Sequence, residues 1–570
     1  MKYILLSLGL LTACSHEVKI APLTQGELKD HHEAHAPKVM VASQGRATTA
    51  AALEIFAREG NIIDAFVAAS FAISVERPQS TGIGGGGFLV FFNQKENKTY
   101  AFDFREVAPL LARQNMYLDK AGNARPMLSQ EGALAVGVPG LVAGLYEIHQ
   151  KFGKLPWDEV MAPAIDLAEK GFPLYPHLQE AIKNRSHLLR LDNELLKIFF
   201  TDKGDIPELG QPIVQPQLAS TLKIIAKEGR KGFYQGAVAQ KITQSIRQHR
   251  GLISLRDLRT YEVKQREPVS IDYKGMRVVS MPPPSSGGIH VLQILKMLEP
   301  YQLSKSGPQS VESVHRTALA MQRAFKDRAE YLGDPDFSSV PTQALLNPTY
   351  LKEMSEMIRS DKAIPSGEVK QANLPYESSE TTHFTIADEQ GNMIASTQTI
   401  NGWFGAGFSA KGTGIIMNNE MDDFSQKVGA QNLFGALGGT KNLVAPKKRP
   451  LSSMSPTILI DKNNKAIMGL GSPSGTRIIN CVAQTLLNTF EFKMPLYEAV
   501  AATRIHHQFA PDEIKIEEPF LSPKTERKLE ERGHKITHAK LGCSVQAIKK
   551  EKKGWVGVSD PRGEGLAQGF

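Results

Sequence analysis

The apolar residues of this chain change their period near residue 380, and that change limits its possible folds more than any other feature. Ahead of it, most segments repeat every three to four residues, the spacing that gives a helix one apolar face. "ATTAAALEIFAREGN" (47–61) and "IIDAFVAASFAISVE" (62–76) read as two successive helices, the first stopped at Gly60 and Asn61. The stretch from about 140 to 370 is mostly of the same kind. In it, "VESVHRTALAMQRAFKDRAEYLG" (311–333) runs to a Gly-Asp-Pro stop, and "MPPPSSGG" (281–288) reads as a rigid turn. Past residue 380 apolar and polar residues alternate, as in strands. "HFTIADEQGNMIASTQTI" (383–400) predicts a hairpin turning at Glu389–Asn392, with further strands in "GTGIIMNN" (412–419) and "SPTILIDKNNKAIMGLG" (455–471). A helix-rich and a strand-rich part fit two domains, or one layered domain drawing on both; at this point both readings stand.

At 570 residues the chain can bury a sizeable core, and 41% hydrophobic with 22% charged residues is the make-up of a soluble globular protein. The net charge of +8 is modest and spread out, a field suited to a small anionic substrate. The basic runs "PKKRP" (446–450) and "KKEKK" (549–553) have no interleaved aromatics and read as solvated loops, so no nucleic-acid partner is expected. "TGIGGGGFLVFF" (81–92) has the glycines of a phosphate cradle. It lacks a following Lys-Ser/Thr and leads into a strand, which favours close backbone packing. His31 and His35 have helical metal-pair spacing but lack the His-Glu-x-x-His order and lie in a polar stretch that reads as tether, so no metal is expected there.

The first 14 residues, "MKYILLSLGLLTAC", read as a targeting segment: one Lys, then an apolar run too short to span a bilayer. Its end resembles the bacterial lipoprotein motif, which implies cleavage ahead of Cys14 and lipid on that residue. No later stretch reaches about 18 consecutive apolar residues, so the body is expected to be exported to the periplasm or extracellular face and tethered by lipid to a membrane. Residues 15–37 read as linker. Besides Cys14 the chain has Cys481 and Cys543, which either pair in an oxidising compartment or stay as buried thiols.

One detail of the hairpin needs chemistry. Its first strand is announced by Thr381 and Thr382 after the acidic, polar run "ESSE". A threonine hydroxyl is a weak nucleophile unless a base takes its proton. Its own α-amino group, with a reference pKa of about 7.7–8.0, would serve at neutral pH. That requires Thr381 to begin a chain, and hence a cut after Glu380.

With that strand, five motifs occur in an order that resembles the γ-glutamyltranspeptidase family of N-terminal-nucleophile hydrolases: "FDFRE" (102–106), "TTHFTIAD" (381–388), "NNEMDDFS" (418–425), "RPLSSMSPTI" (449–458) and "GSPSGTRII" (471–479). The resemblance covers essentially all of the chain after about residue 38. It implies an α/β (α+β) four-layer αββα sandwich, built from a large subunit (38–380) and a small subunit (381–570) cut from one precursor and held as a heterodimer. It implies that Thr381 is the nucleophile for self-cleavage and for turnover, with Thr399 orienting its hydroxyl. Arg105, with Ser452 and Ser453, would take a substrate α-carboxylate. Asp423, with Glu420 and Asn401, would take its α-ammonium. The backbone N–H groups of Ser474 and Gly475 would form the oxyanion hole.

Two departures from the family pattern carry consequences. The family commonly has two glycines at the oxyanion turn, so Ser474 is strained if its φ is positive. Phe434 stands where bacterial relatives have a gating Tyr. It can cover the pocket but cannot hydrogen-bond across it, which predicts a looser lid. The resemblance implies an enzyme that moves the γ-glutamyl group of glutathione-like compounds to water, an amino acid or a dipeptide. A glutaryl-type β-lactam acylase of the same superfamily would not need Asp423. An unprocessed lipoprotein that only binds ligands would not need Thr381, Thr399 and Arg105.

Overall fold

A computed structural model describes residues 32–367 and 381–570. Cys14, His31 and Glu380 fall outside the described residues, as do the targeting segment and most of the expected linker. Two seven-stranded sheets form the middle of the molecule. In spatial order, one runs Glu33–Ala36, Gly554–Ser559, Gln546–Glu551, Ala466–Gly471, Thr457–Ile460, Met276–Ser280 and Val269–Tyr273. The other runs Leu566–Gly569, Met40–Ser43, Thr382–Ala387, Met393–Thr399, Gly86–Asn93, Lys98–Asp103 and Lys264–Arg266. Neighbouring strands in both are antiparallel.

The predicted hairpin is the centre of the second sheet. Thr382 pairs with Gln398 and Ala387 with Met393, while Ile386 on the outer side pairs with Val41. Strands from before and after residue 380 therefore share both sheets, and the two-domain reading fails. The hairpin packs on Ala466–Gly471 and Gln546–Glu551 of the other sheet. Helix Ile62–Glu76 covers its far side, and helix Gly287–Leu298 covers Val269–Ser280 from the opposite side. This is the expected helix–sheet–sheet–helix sandwich.

The alternation in the hairpin separates two cores, since both faces are buried. Phe384, Ile386 and Ile394 join the core under the helices, and Ala387, Met393 and Ala395 join the one between the sheets. The polar residues among them are satisfied in place. His383 Nδ1 meets Thr397 Oγ1 at 2.8 Å and its Nε2 meets Thr385 Oγ1 at 3.1 Å. Burial pushes the His383 imidazole down to about 3, so it stays neutral. The glycine loop is a packing device: Cβ atoms on Gly84 and Gly85 would come within 2.2 Å of Ile416 O and 2.0 Å of Thr399 O.

Helices Arg46–Ala57 and Ile62–Glu76 form as their spacing predicts. The first ends at Ala57 with Arg58 as its C-cap, ahead of the expected stop at Gly60 and Asn61, and Asn61 caps the second, its Oδ1 accepting from Ile63 and Asp64 N–H. Several expectations are corrected. Within the expected linker, Glu33–Ala36 is a strand paired with Gly554–Ser559, and the exposed His35 bonds Glu33. No group of three or more His, Cys, Asp or Glu among the described residues could hold a metal ion. Strands at 264–280 interrupt the region read as helical. In "GTGIIMNN" only Ile415–Ile416 is strand. The run "PKKRP" is not a solvated loop: Lys448 and Arg449 are buried, Lys448 Nζ donating to Lys441 O and Leu443 O and Arg449 Nε to Asp103. Lys550–Lys553 of "KKEKK" is exposed as expected. Cys481 and Cys543 form a disulfide. No helix among the described residues is long and apolar enough to cross a membrane.

Candidate active site

Antiparallel pairing brings Thr381 and Thr399 together. Thr382 is in register with Gln398, so the residues just beyond that pair lie side by side at one end of the hairpin. The Thr381 hydroxyl donates to Thr399 Oγ1 at 3.4 Å, and Thr399 Oγ1 also accepts from the Asn401 N–H at 2.8 Å. The same pocket is lined by Arg105, Asn401, Glu420, Asp423, Phe434, Ser452, Ser453 and Gly475. Residues spread over more than 350 positions of sequence thus meet at one strand end.

Arg105 follows strand Lys98–Asp103 and is buried. Its Nη1 donates to Glu420, its Nη2 to Asp423 at 2.5 Å, and its Nε to Pro450 O at 3.2 Å. Burial works against its charge, but Glu420 and Asp423 more than offset this and hold the guanidinium firmly protonated. The residues expected at opposite poles of a substrate are therefore in direct contact. Burial pushes the Glu420 carboxyl up against the pull of Arg105. Burial and the neighbouring Glu420 charge push Glu106 well up, favouring its protonated form.

Asp423 is held from its other side, Oδ1 accepting from Asn432 Nδ2 at 2.8 Å. Asn432 Oδ1 in turn accepts from the N–H groups of Phe434 and Ala436, so the segment expected to be a lid is tied to Asp423. The Phe434 ring lies directly on the Ser474–Gly475 turn: a Cβ on Gly475 would be 2.3 Å from Phe434 Cδ1.

The Ser474–Gly475 turn has the strain that the sequence made conditional. Ser474 has φ of +104° and Gly475 +53°. The Ser474 hydroxyl turns away from the pocket, donating to Leu541 O and accepting from Arg477 Nε at 2.8 Å. The Cys481–Cys543 bridge ties the helix that follows, Arg477–Leu486, to the loop that supplies Leu541. These bonds hold a serine where glycine would sit without cost.

Sequence reasoning missed Arg328, Asn432 and Glu106. Arg328 lines the pocket as a second guanidinium. Its Nε donates to Ser286 Oγ, and Ser286 N–H and Oγ–H both donate to Ser452 O at 2.8 Å, bracing the Ser452–Ser453 turn. Burial pushes Arg328 down to about 10, still charged at neutral pH. Its signal was an Arg on the apolar face of helix Val311–Tyr331.

The pattern of the γ-glutamyltranspeptidase family matches residues 48–570. The glutathione hydrolase proenzyme of Escherichia coli K12 is 42% identical over 544 residues, 95% of this chain and 93% of that protein. That of Pseudomonas aeruginosa is 39% identical over 520 residues, 90% of this chain and 91% of its own length. Among solved structures, cephalosporin acylase from Bacillus halodurans superposes with a TM-score of 0.83 at 27% identity, over 97% of this chain and 99% of that one. Helicobacter pylori γ-glutamyltranspeptidase gives 0.55 at 40% identity, over 59% of this chain and 96% of that one. With the family pattern spanning most of its length and relatives this similar end to end, the chain belongs to the γ-glutamyltranspeptidase family.

Proposed function

We propose that the protein is a γ-glutamyltransferase and glutathione hydrolase that cuts itself between Glu380 and Thr381 and then works through an ester on Thr381. The observation that carries the reading is a hydroxyl at the head of a buried strand, in a pocket lined by the cation Arg105, the hydroxyls of Ser452 and Ser453, and the acids Glu420 and Asp423. An amino-acid head group carries the charges that match those walls, and its γ-carbonyl would then lie at Thr381.

In self-cleavage the Thr381 hydroxyl adds to the Glu380 carbonyl, the peptide C–N bond breaks to free the Thr381 α-amino group, and water hydrolyses the resulting ester, releasing the Glu380 carboxylate and restoring the Thr381 hydroxyl. In turnover that amino group takes the hydroxyl proton as Oγ1 bonds to the γ-carbonyl carbon. The developing oxyanion would be met by the N–H groups of Ser474 and Gly475, at the positive end of helix Arg477–Leu486. Collapse breaks the substrate's amide C–N bond, and the proton leaves with the amine. Water or an acceptor amine then attacks the ester, releasing glutamate or a new γ-glutamyl amide. Beyond holding Arg105 and Asn432, the two acids Glu420 and Asp423 give the pocket more negative charge than a glutaryl group, which has no ammonium, could use, and this favours the γ-glutamyl reading.

Export and a lipid tether at Cys14 belong to the same proposal. The Cys481–Cys543 bridge supports export, since such bridges persist in oxidising compartments. N-terminal sequencing of the purified protein tests the core of it. One fragment should begin at Thr381, and Thr381→Ala should give a single inactive chain while Thr381→Ser still matures, more slowly. Efficient cutting of the Ala variant after Glu380 would refute the assignment.

A further inference from the structure

The lid and the oxyanion turn are joined by one side chain that belongs to neither. Gln508 Oε1 accepts from the Thr476 hydroxyl at 2.7 Å and faces His506 Nε2 at 2.9 Å. Its Nε2 donates to Phe434 O and Gly435 O in the lid, each at 3.3 Å, and to Ala510 O at 3.3 Å. The partners fix which way the amide points. Three carbonyl oxygens can only accept, so the NH₂ must face them. On the other side, Asn480 Nδ2 also donates to His507 O, so the His506 Nδ1 it meets at 2.7 Å is an acceptor. A neutral His506 then carries its hydrogen on Nε2 and donates to Gln508.

Thr476 directly follows Gly475, and the Phe434 ring lies on Gly475. The lid therefore touches the oxyanion turn twice: by its ring on the glycine, and by its backbone through Gln508 to the next residue. This matters more here because a Phe side chain offers no hydroxyl to hold the lid down.

We infer that Gln508 is a positioning residue that couples lid closure to the geometry of the oxyanion turn, and so sets how much water reaches the γ-glutamyl ester on Thr381. The inference rests on the reaction proposed for Thr381. With the latch intact, the covered ester waits for an acceptor amine. With it broken, the lid opens more often, water competes better, and the turn loses one of its restraints. The 3.3 Å bonds to the lid are long, as suits a latch that must release for substrate to bind.

The test uses the mature enzyme with a γ-glutamyl anilide as donor and glycylglycine as acceptor, measuring free glutamate against γ-glutamyl dipeptide. Gln508→Glu keeps an acceptor for Thr476 and His506 but loses the donor to the lid. It should raise the ratio of hydrolysis to transfer about fivefold, the weight of one ordinary hydrogen bond, with a smaller change in donor KM. Thr476→Val, which leaves Gln508 in place, should move the ratio the same way, and Thr476→Ser should restore it. The double variant Gln508→Glu/Thr476→Val should move it no further than Gln508→Glu alone. A purely structural role would lower activity or melting temperature and leave the ratio alone. An unchanged ratio in Gln508→Glu, or in Thr476→Val should the former fail to mature, overturns the inference. So do additive effects in the double variant. If the wild-type protein transfers no γ-glutamyl group at all, the proposed function fails and the latch falls with it; an unmoved ratio in an active enzyme sinks only the latch.

Discussion

Replacing Asp423 by Ala tests the charge assignment of the pocket, and the structure dictates how the result must be read. Asp423 gives one oxygen to Arg105 Nη2 and the other to Asn432, which carries the lid. Its loss therefore loosens Arg105 and the lid as well as removing the proposed partner of the substrate ammonium. The first two effects reach any substrate that has a carboxylate at that end. The third reaches only one with an α-amino group. A charge-assisted hydrogen bond is worth about 1.5–3 kcal/mol net, which at about 1.4 kcal/mol per decade is roughly 10- to 200-fold in kcat/KM. The assay compares a γ-glutamyl with a glutaryl anilide on wild type and variant, after a denaturing gel shows that both have matured. Absolute rates should fall for both substrates, but the γ-glutamyl to glutaryl ratio should fall by about 10-fold or more. Damage through Arg105 or the lid cancels in that ratio. A ratio unchanged within about twofold, a spread far below one charge-assisted bond, would refute the ammonium role however large the loss of activity.

Two further outcomes are expected. Ser474→Ala keeps a side chain at φ +104° and loses both hydroxyl bonds, whereas Ser474→Gly loses the same bonds but relieves the strain. The Gly variant should thus be more stable than the Ala variant by about 1–3 kcal/mol in denaturant melts, and equal stability would show that the turn is not strained. A fatty-acid analogue fed to cells should label the wild-type protein and not Cys14→Ser; equal labelling of the two, or none of either, would remove the lipid tether.

What was legible in the sequence follows from how local each signal was. The hairpin at 382–399 could be read because each strand carries its own alternation around a Gly-Asn turn, and pairing one residue to its neighbour then places Thr381 beside Thr399. Strands Val269–Tyr273 and Met276–Ser280 carried the same signal, apolar residues two apart around Lys274-Gly275, but sat among helical segments and were absorbed by them. The basic run at 446–450 misled because charge was visible and partners were not: Arg449 is neutralised by Asp103, 346 positions away. The site residues were found through motifs whose members are near in sequence. Arg328 and Gln508 make contacts with groups brought near only by the fold, and apart from the placing of Arg328 on an apolar helix face nothing in their local pattern separates them from ordinary helix or loop residues.

The contact of Arg105 with Glu420 and Asp423 gives the proposed amino-acid head group a physical rationale. A guanidinium this deeply buried is costly unless opposite charges stay beside it. In the structure the two acids serve that purpose. A γ-glutamyl group brings a carboxylate for Arg105 and an ammonium for the acids, so each pair is exchanged for another and no buried charge is left alone. A glutaryl group brings only the carboxylate. It can bind Arg105 only by pulling it from Glu420 and Asp423, or by leaving those acids without the cation they had. Arg328, a second buried cation in the pocket wall, is bonded to Ser286. The proposed selectivity for the α-amino group would thus arise as much from what an incomplete substrate leaves unpaired as from the bond that the complete one makes.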